Sequence, residues 1–113
     1  MIIHSDNYEV CEILTDAFEK VPRATLIAKN SRIALDYHAE LCNLRLRDNL
    51  KISIYISEKP PKDRNIYLVR GIVYKIEENR FEASFGGMLM FYEGALDSSL
   101  ANDCEIYVSI SKI

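Results

Sequence analysis

The chain has 113 residues, 49% hydrophobic and 27% charged. These are the proportions of one globular domain, and they exclude a multidomain machine, a disordered tail, a collagen-like repeat and a coiled coil. The net charge of -3 is not that of a dedicated nucleic-acid binder, whose domain is usually net basic.

No apolar run reaches the ~20 residues of a membrane helix. The opening Met1-Ile2-Ile3-His4-Ser5-Asp6 lacks the basic flank and apolar stretch of a secretory signal. An intracellular chain with no membrane partner is therefore expected. Charge is unevenly placed: one base against five acids from Met1 to Pro22, eleven against five from Arg23 to Lys75, and two against seven from Ile76 to Ile113. A basic middle can attract phosphates, but pairing of these blocks across antiparallel strands is the favoured expectation.

Between Glu9 and Lys20, the residues Val10, Ile13, Leu14, Ala17 and Phe18 fall at helical spacing and Pro22 supplies a stop, so the pattern leaves helix and strand both open. Arg32 to Leu41 alternates, with Ile33, Leu35, Tyr37, Ala39 and Leu41 on one side; Lys29-Asn30-Ser31 suits a reversal, which makes Ala24 to Ala28 the hairpin partner. Leu50 to Ile56 is the clearest strand, its isoleucines alternating with Lys51, Ser53 and Tyr55. Ile66 to Ile76 is apolar on both parities and predicts a long strand covered on both faces, with Gly71 marking a bend or bulge.

After a turn at Glu77-Glu78-Asn79, the residues Phe81, Ala83 and Phe85 alternate with Glu82 and Ser84, and Gly86-Gly87 permits a sharp bend into Met88 to Tyr92. Gly94 to Asp103 reads as a polar surface connection. The last strand, Glu105 to Ser111, turns Ile106, Val108 and Ile110 inward and Tyr107, Ser109 and Ser111 outward. About eight short strands, close turns and at most one short helix fit an all-β fold, a small closed antiparallel β-barrel.

Motifs for catalysis are missing. His4 and His38 stand in unrelated segments without a cysteine or acid at metal-ligand spacing, and the parity His38 shares with Asp36 and Glu40 predicts an exposed ring. Cys11, Cys42 and Cys104 leave one thiol over in any disulfide scheme and form no C-x-x-C pair; they read as buried or half-buried thiols of a reducing compartment. No catalytic residue, metal or cofactor is expected.

Three features suit binding. Tyr55 and Tyr107 face outward, where they can stack a single nucleic-acid strand, cover the core margin or contact a protein. Lys59-Pro60-Pro61-Lys62-Asp63-Arg64 suits a phosphate-contacting loop and, more simply, a proline-stiffened linker. Gly86-Gly87-Met88-Leu89-Met90 fits an adaptable docking surface or core packing around a bend.

The second half carries a resemblance. Tyr67-Leu68-Val69-Arg70-Gly71-Ile72-Val73-Tyr74-Lys75-Ile76-Glu77, followed by Phe85-Gly86-Gly87-Met88-Leu89-Met90, resembles the eighth-subunit family of nuclear RNA polymerases, the small subunit common to polymerases I, II and III. The family pattern is a tyrosine-rich strand with G-x-V-Y-[KR]-I-E, an aromatic strand entering Y-G-G-L-L-M, and a closing strand that Glu105 to Lys112 resembles. Tyr8-Glu9-Val10, Val21 to Ala28, Ile33 to Leu41 and Leu50 to Ser57 are similar more loosely to the four earlier strands. Phe85 and Met88 depart from the pattern conservatively. The connection from Ser57 to Ile66 is short and basic where eukaryotic members carry a long acidic loop, which suggests a compact version of the subunit, either from a streamlined eukaryote or from the family's archaeal relatives.

The resemblance implies an oligonucleotide/oligosaccharide-binding type barrel, and a strand from about Tyr8 followed by a loop or a short turn of helix before Pro22. It further implies a non-catalytic structural subunit in the nucleus, docked on the largest polymerase subunit and the polymerase core, without cofactor, membrane or direct nucleic-acid contact. Gly86, Gly87, Met88, Leu89 and Met90, backed by Tyr67 and Tyr107, are the expected contacts with that subunit. The alternative from another class is a free-standing single-stranded nucleic-acid-binding protein on the same barrel.

Overall fold

Side chains of alternating polarity leave each strand one face to bury, and here the strands bury it by closing into a ring. The computed structural model describes residues 1–15, 21–57 and 67–113. Its strands are β1 (Ile2–Leu14), β2 (Arg23–Ile27), β3 (Arg32–Asp36), β4 (Asn49–Ile56), β5 (Tyr67–Glu77), β6 (Arg80–Phe85), β7 (Met88–Glu93) and β8 (Glu105–Lys112). They form a closed antiparallel barrel in the order β1-β2-β3-β7-β6-β5-β8-β4, with β4 returning to β1. Among the described residues there is no helix.

The interior is built from paired rows of β-branched side chains. Ile52 stands opposite Ile110, and Ile54 opposite Val108, all four wholly buried. Such cross-strand pairs are the unit from which sheets gain stability. The same parity places Leu26 against Ile33 and Leu35 against Met90, again in the core.

Three elements differ from the sequence expectation, each for a local reason. The strand that begins the barrel starts at Ile2, ahead of Tyr8, and runs through the segment with helical spacing. A register shift between Val10 and Glu12 spends one extra residue at Cys11, so that Val10 faces Leu26 and Ile13 faces Ala24; a bulge thus produces the i, i+3 spacing of a helix. Ala17 and Phe18 lie outside the described residues.

β3 stops at Asp36, well short of Leu41, because its partner β2 ends opposite it at Arg23. Tyr37 is still buried, its N–H donating to Pro22 O (3.1 Å), and the chain then turns through Leu41 N–H to His38 O (3.0 Å). Leu41 is left 69% exposed.

β5 is covered on one face only: Ile72 is 50% and Tyr74 43% exposed. Its bulge falls between Val73 and Lys75 and sets Ile76 opposite Phe81. Gly71 serves a different purpose, because a Cβ there would lie 2.5 Å from both the Phe85 ring and Ser84 O. The glycine makes room for an aromatic ring that plugs the barrel.

The expected cross-strand pairing between charge blocks is visible in Arg70 with Glu105 (3.8 Å) and Lys75 with Glu82 (3.9 Å), while Lys75 with Glu77 (3.1 Å) lies within β5. These are exposed pairs, each worth up to about 1 kcal/mol. Arg23 pairs within its own block, with Asp36.

Candidate docking surface

The β6–β7 hairpin turns on Gly86 and Gly87, whose φ values of 67° and 99° are those of the two-residue turn with both central residues left-handed. No atom lies within 4 Å of a Cβ built on either. Backbone conformation, not crowding, therefore calls for glycine here. The Gly87 N–H donates to Ser84 Oγ (3.4 Å), and the tip stands exposed.

Beyond the tip, strand parity divides the expected contact residues. Met88 and Leu89 are half-buried, whereas Met90 is fully buried between Leu35 and Ala83. Met90 is therefore a core side chain and not a surface contact. Tyr67 is corrected likewise: it is 6% exposed, and its phenol oxygen accepts the His38 N–H (3.2 Å). Tyr107 lies on the outer face, half-buried and in register with Tyr55 on one side and Arg70 on the other.

A group of residues not singled out from the sequence completes the face around Leu89. Asp36 accepts from Arg23 through two bonds, Nε to Oδ1 (2.6 Å) and Nη2 to Oδ2 (3.1 Å), and Oδ2 also accepts the Leu89 N–H (3.0 Å). This bidentate arrangement ties β2, β3 and β7 together. The Arg23 guanidinium lies 5.0 Å from the centroid of Phe91, a favourable cation–π distance. Next to Phe91 is Glu82, whose Oε1 accepts the Tyr74 phenol (2.8 Å).

The resulting outer surface of β3, β7, β6 and β5 presents Ile72, Tyr74, Leu89 and Phe91, held by charged groups that are themselves satisfied. The bond to Asp36 raises the Arg23 pKa, while desolvation and the bond to Glu82 raise that of Tyr74. Arg23 stays cationic and Tyr74 neutral at physiological pH. The signal for this group was present in the sequence: Ile72 and Tyr74 are apolar at outward parity, and the reversal at residues 29–31 sets Arg23 opposite Asp36.

The remaining candidates lie elsewhere. Residues 59–64 lie outside the described residues. His4 is half-buried, its Nε2 2.6 Å from the Tyr8 hydroxyl and its ring edge-on to Tyr92; burial lowers its pKa. His38 is not the exposed ring its parity predicts, because the chain turns out of β3 just before it; it is half-buried, with Nδ1 enclosed and unbonded. Cys42 is buried and its thiol pushed up to about 11 by desolvation, which leaves it protonated and unreactive at neutral pH. Cys104 is half-buried, but Cys11 is exposed, because the β1 bulge carries it outward.

Among the described residues no three His, Cys, Asp or Glu side chains are placed to hold a metal ion. What the surface can do chemically is exclude water against an apolar partner and register it with fixed charges. No model of a known protein family matches the chain, and no curated protein matches it.

Proposed function

We propose that this protein is a non-catalytic assembly subunit of a nuclear DNA-dependent RNA polymerase, docked on the largest subunit by the outer face of β3, β7, β6 and β5. The observation that supports this reading is that the two segments resembling the polymerase family, Tyr67 to Glu77 in β5 and Phe85 to Met90 around the β6–β7 turn, lie on the neighbouring strands β5, β6 and β7, which carry the exposed Ile72 and Tyr74 and the half-buried Leu89. Arg23 on this face is already neutralised by Asp36, and Lys75 by two glutamates, which suits a protein partner better than a phosphate backbone. A stable interface covers roughly 800 Å² per partner, about one side of a molecule measuring 33 × 29 × 27 Å.

The test is co-purification. With two outward side chains of β5 changed, Ile72→Glu and Tyr74→Glu, the barrel should keep its circular dichroism spectrum and lose the largest subunit from a tagged pull-down. Retention of that subunit removes this face from the interface.

A second reading, the free-standing single-strand binder, draws on the row Tyr55, Tyr107 and Arg70 across β4, β8 and β5, since aromatic side chains beside a cation can stack bases. Titrating a fluorescent oligonucleotide at two salt concentrations separates the readings: micromolar, salt-sensitive affinity supports the second.

A further inference from the structure

β1 is paired on one edge along its first half and on the other along its second. Residues Ile2 to Glu9 pair with β4, and Glu9 to Leu14 pair with β2. Before Glu9, the edge of β1 that faces away from β4 has no strand beside it among the described residues.

Strand alternation identifies the groups left open. The Val10 N–H donates to Asp48 O (3.0 Å) and the Val10 carbonyl accepts from Arg47 N–H (2.8 Å), so the Val10 main chain turns to the β4 side. Register is unbroken from His4 to Glu9. His4, Asp6 and Tyr8 therefore turn the same way, and Ser5 and Asn7 direct their N–H and C=O groups to the free edge. The Asn7 N–H is met there by the carboxylate of its own neighbour Asp6 (2.8 Å). An acidic side chain that caps an open edge is one way of keeping it from pairing at random.

A cleft of about 300 Å³ opens beside the same stretch of β1, lined among others by Ile3, His4, Asp6, Ser31, Tyr92 and Asp97. Its walls are tied. The Tyr8 hydroxyl bonds both His4 Nε2 and Ser31 Oγ, and the Tyr92 hydroxyl donates to Ala95 O (2.7 Å). The carboxylates of Asp6 and Asp97 are there, and no lysine or arginine lines the cleft.

We propose that the Ser5–Asn7 edge of β1 and the adjoining cleft accept an extended peptide segment by strand addition, a lysine or arginine of that segment seating at Asp6 and Asp97. Main-chain bonds supply affinity in this mode, and alternate side chains supply selectivity. A second copy of this chain fits less well, because edge-to-edge pairing would bring like-charged Asp6 carboxylates together. The site lies at the opposite end of β7 from the Gly86-Gly87 turn and does not depend on the docking reading above.

The experiment uses the full chain, isotopically labelled, and two end-blocked peptides, one alternating lysine with valine and one alternating glutamate with valine. The lysine peptide should shift the Ser5 and Asn7 amide resonances saturably, with at least about fivefold weaker affinity at physiological than at low salt, and the glutamate peptide should not. Asn7→Pro, which removes an edge N–H that β4 does not use, should abolish the effect while the Val10 and Ile52 amides keep their positions. Asp6→Asn should weaken binding several-fold and reads the same site should the proline variant fail to fold. Unmoved Ser5 and Asn7 amides at millimolar lysine peptide, equal response to both peptides, or shifts that follow protein concentration alone would each overturn the proposal.

Discussion

Two outward surfaces of the barrel obey the same strand parity and are finished differently. On β1, β4 and β8 the outward row is Ser5, Ser53 and Ser109; the hydroxyls of Ser5 and Ser53 lie 3.0 Å apart, and Ser53 and Ser109 are almost inaccessible at 7% and 5%. On β5, β6 and β7 the outward positions include Ile72, Tyr74, Leu89 and Phe91, with apolar area still open to water. Parity tells only which way a side chain points. Where uncovered apolar area is gathered on an outward face, a partner is an explanation to test; the serine row carries none, although Ile2 at the start of β1 is itself 54% exposed.

The comparison can be broken hardest through the inward neighbour of the second surface. Met90→Glu places a charge in the sealed interior and should cost several kcal/mol, read as loss of the cooperative thermal transition. A folded Met90→Glu barrel would mean that β7 is not packed as described. Gly71→Ala comes next: its new Cβ must displace the Phe85 ring or strain the Ser84 backbone, at roughly 1–3 kcal/mol, read as a lowered Tm.

Smaller effects sharpen the contrast. Arg23→Ala should leave the fold standing with a loss of about 1 kcal/mol, since Asp36 keeps only its bond to Leu89, yet weaken co-purification with the proposed partner. Ser53→Ala on the opposite face should cost about as much stability and leave co-purification unchanged; matched losses of partner in both variants would erase the distinction between the surfaces.

The smallest expected effect is a pH dependence. Burial lowers the His4 pKa in the fold below its usual 6.5, so the unfolded chain takes up the proton first. Stability from this group is complete above about pH 6.5 and declines as pH falls below it. The Tm should begin to drop as pH falls below about 6.5, before Glu77 and Asp97, both held low by hydrogen bonds, begin to titrate. His4→Gln should flatten that slope.

The barrel was legible because period-2 alternation in residues 50–56, 81–85 and 105–111 survives into the structure unchanged. It misled where an extra residue slips the register. Val10 and Ile13 imitate a helix through the bulge at Cys11, and Ile76 crosses to the inner side through the one after Val73. The docking face was half legible. Gly86 and Gly87 stand at a tip as the glycine pair suggests, but Met90 and Tyr67 were placed on the surface by motif membership, which does not distinguish inward from outward residues. Arg23 and Asp36 were missed because the hairpin was read from Ala24 onward, one residue short of the pair that its register sets opposite each other.

The ring order has a consequence for how the molecule is made. β8 is inserted between β4 and β5, so during synthesis β4 has only β1 beside it and β5 only β6 until the last portion of the barrel leaves the ribosome. Until then Ile52 and Ile54 lack their mates, and the nascent chain carries an adhesive, unfinished sheet. Folding must wait for Ile106 to Ile110, and a ribosome that stalls shortly before them releases a product suited to chaperones and proteases rather than to assembly.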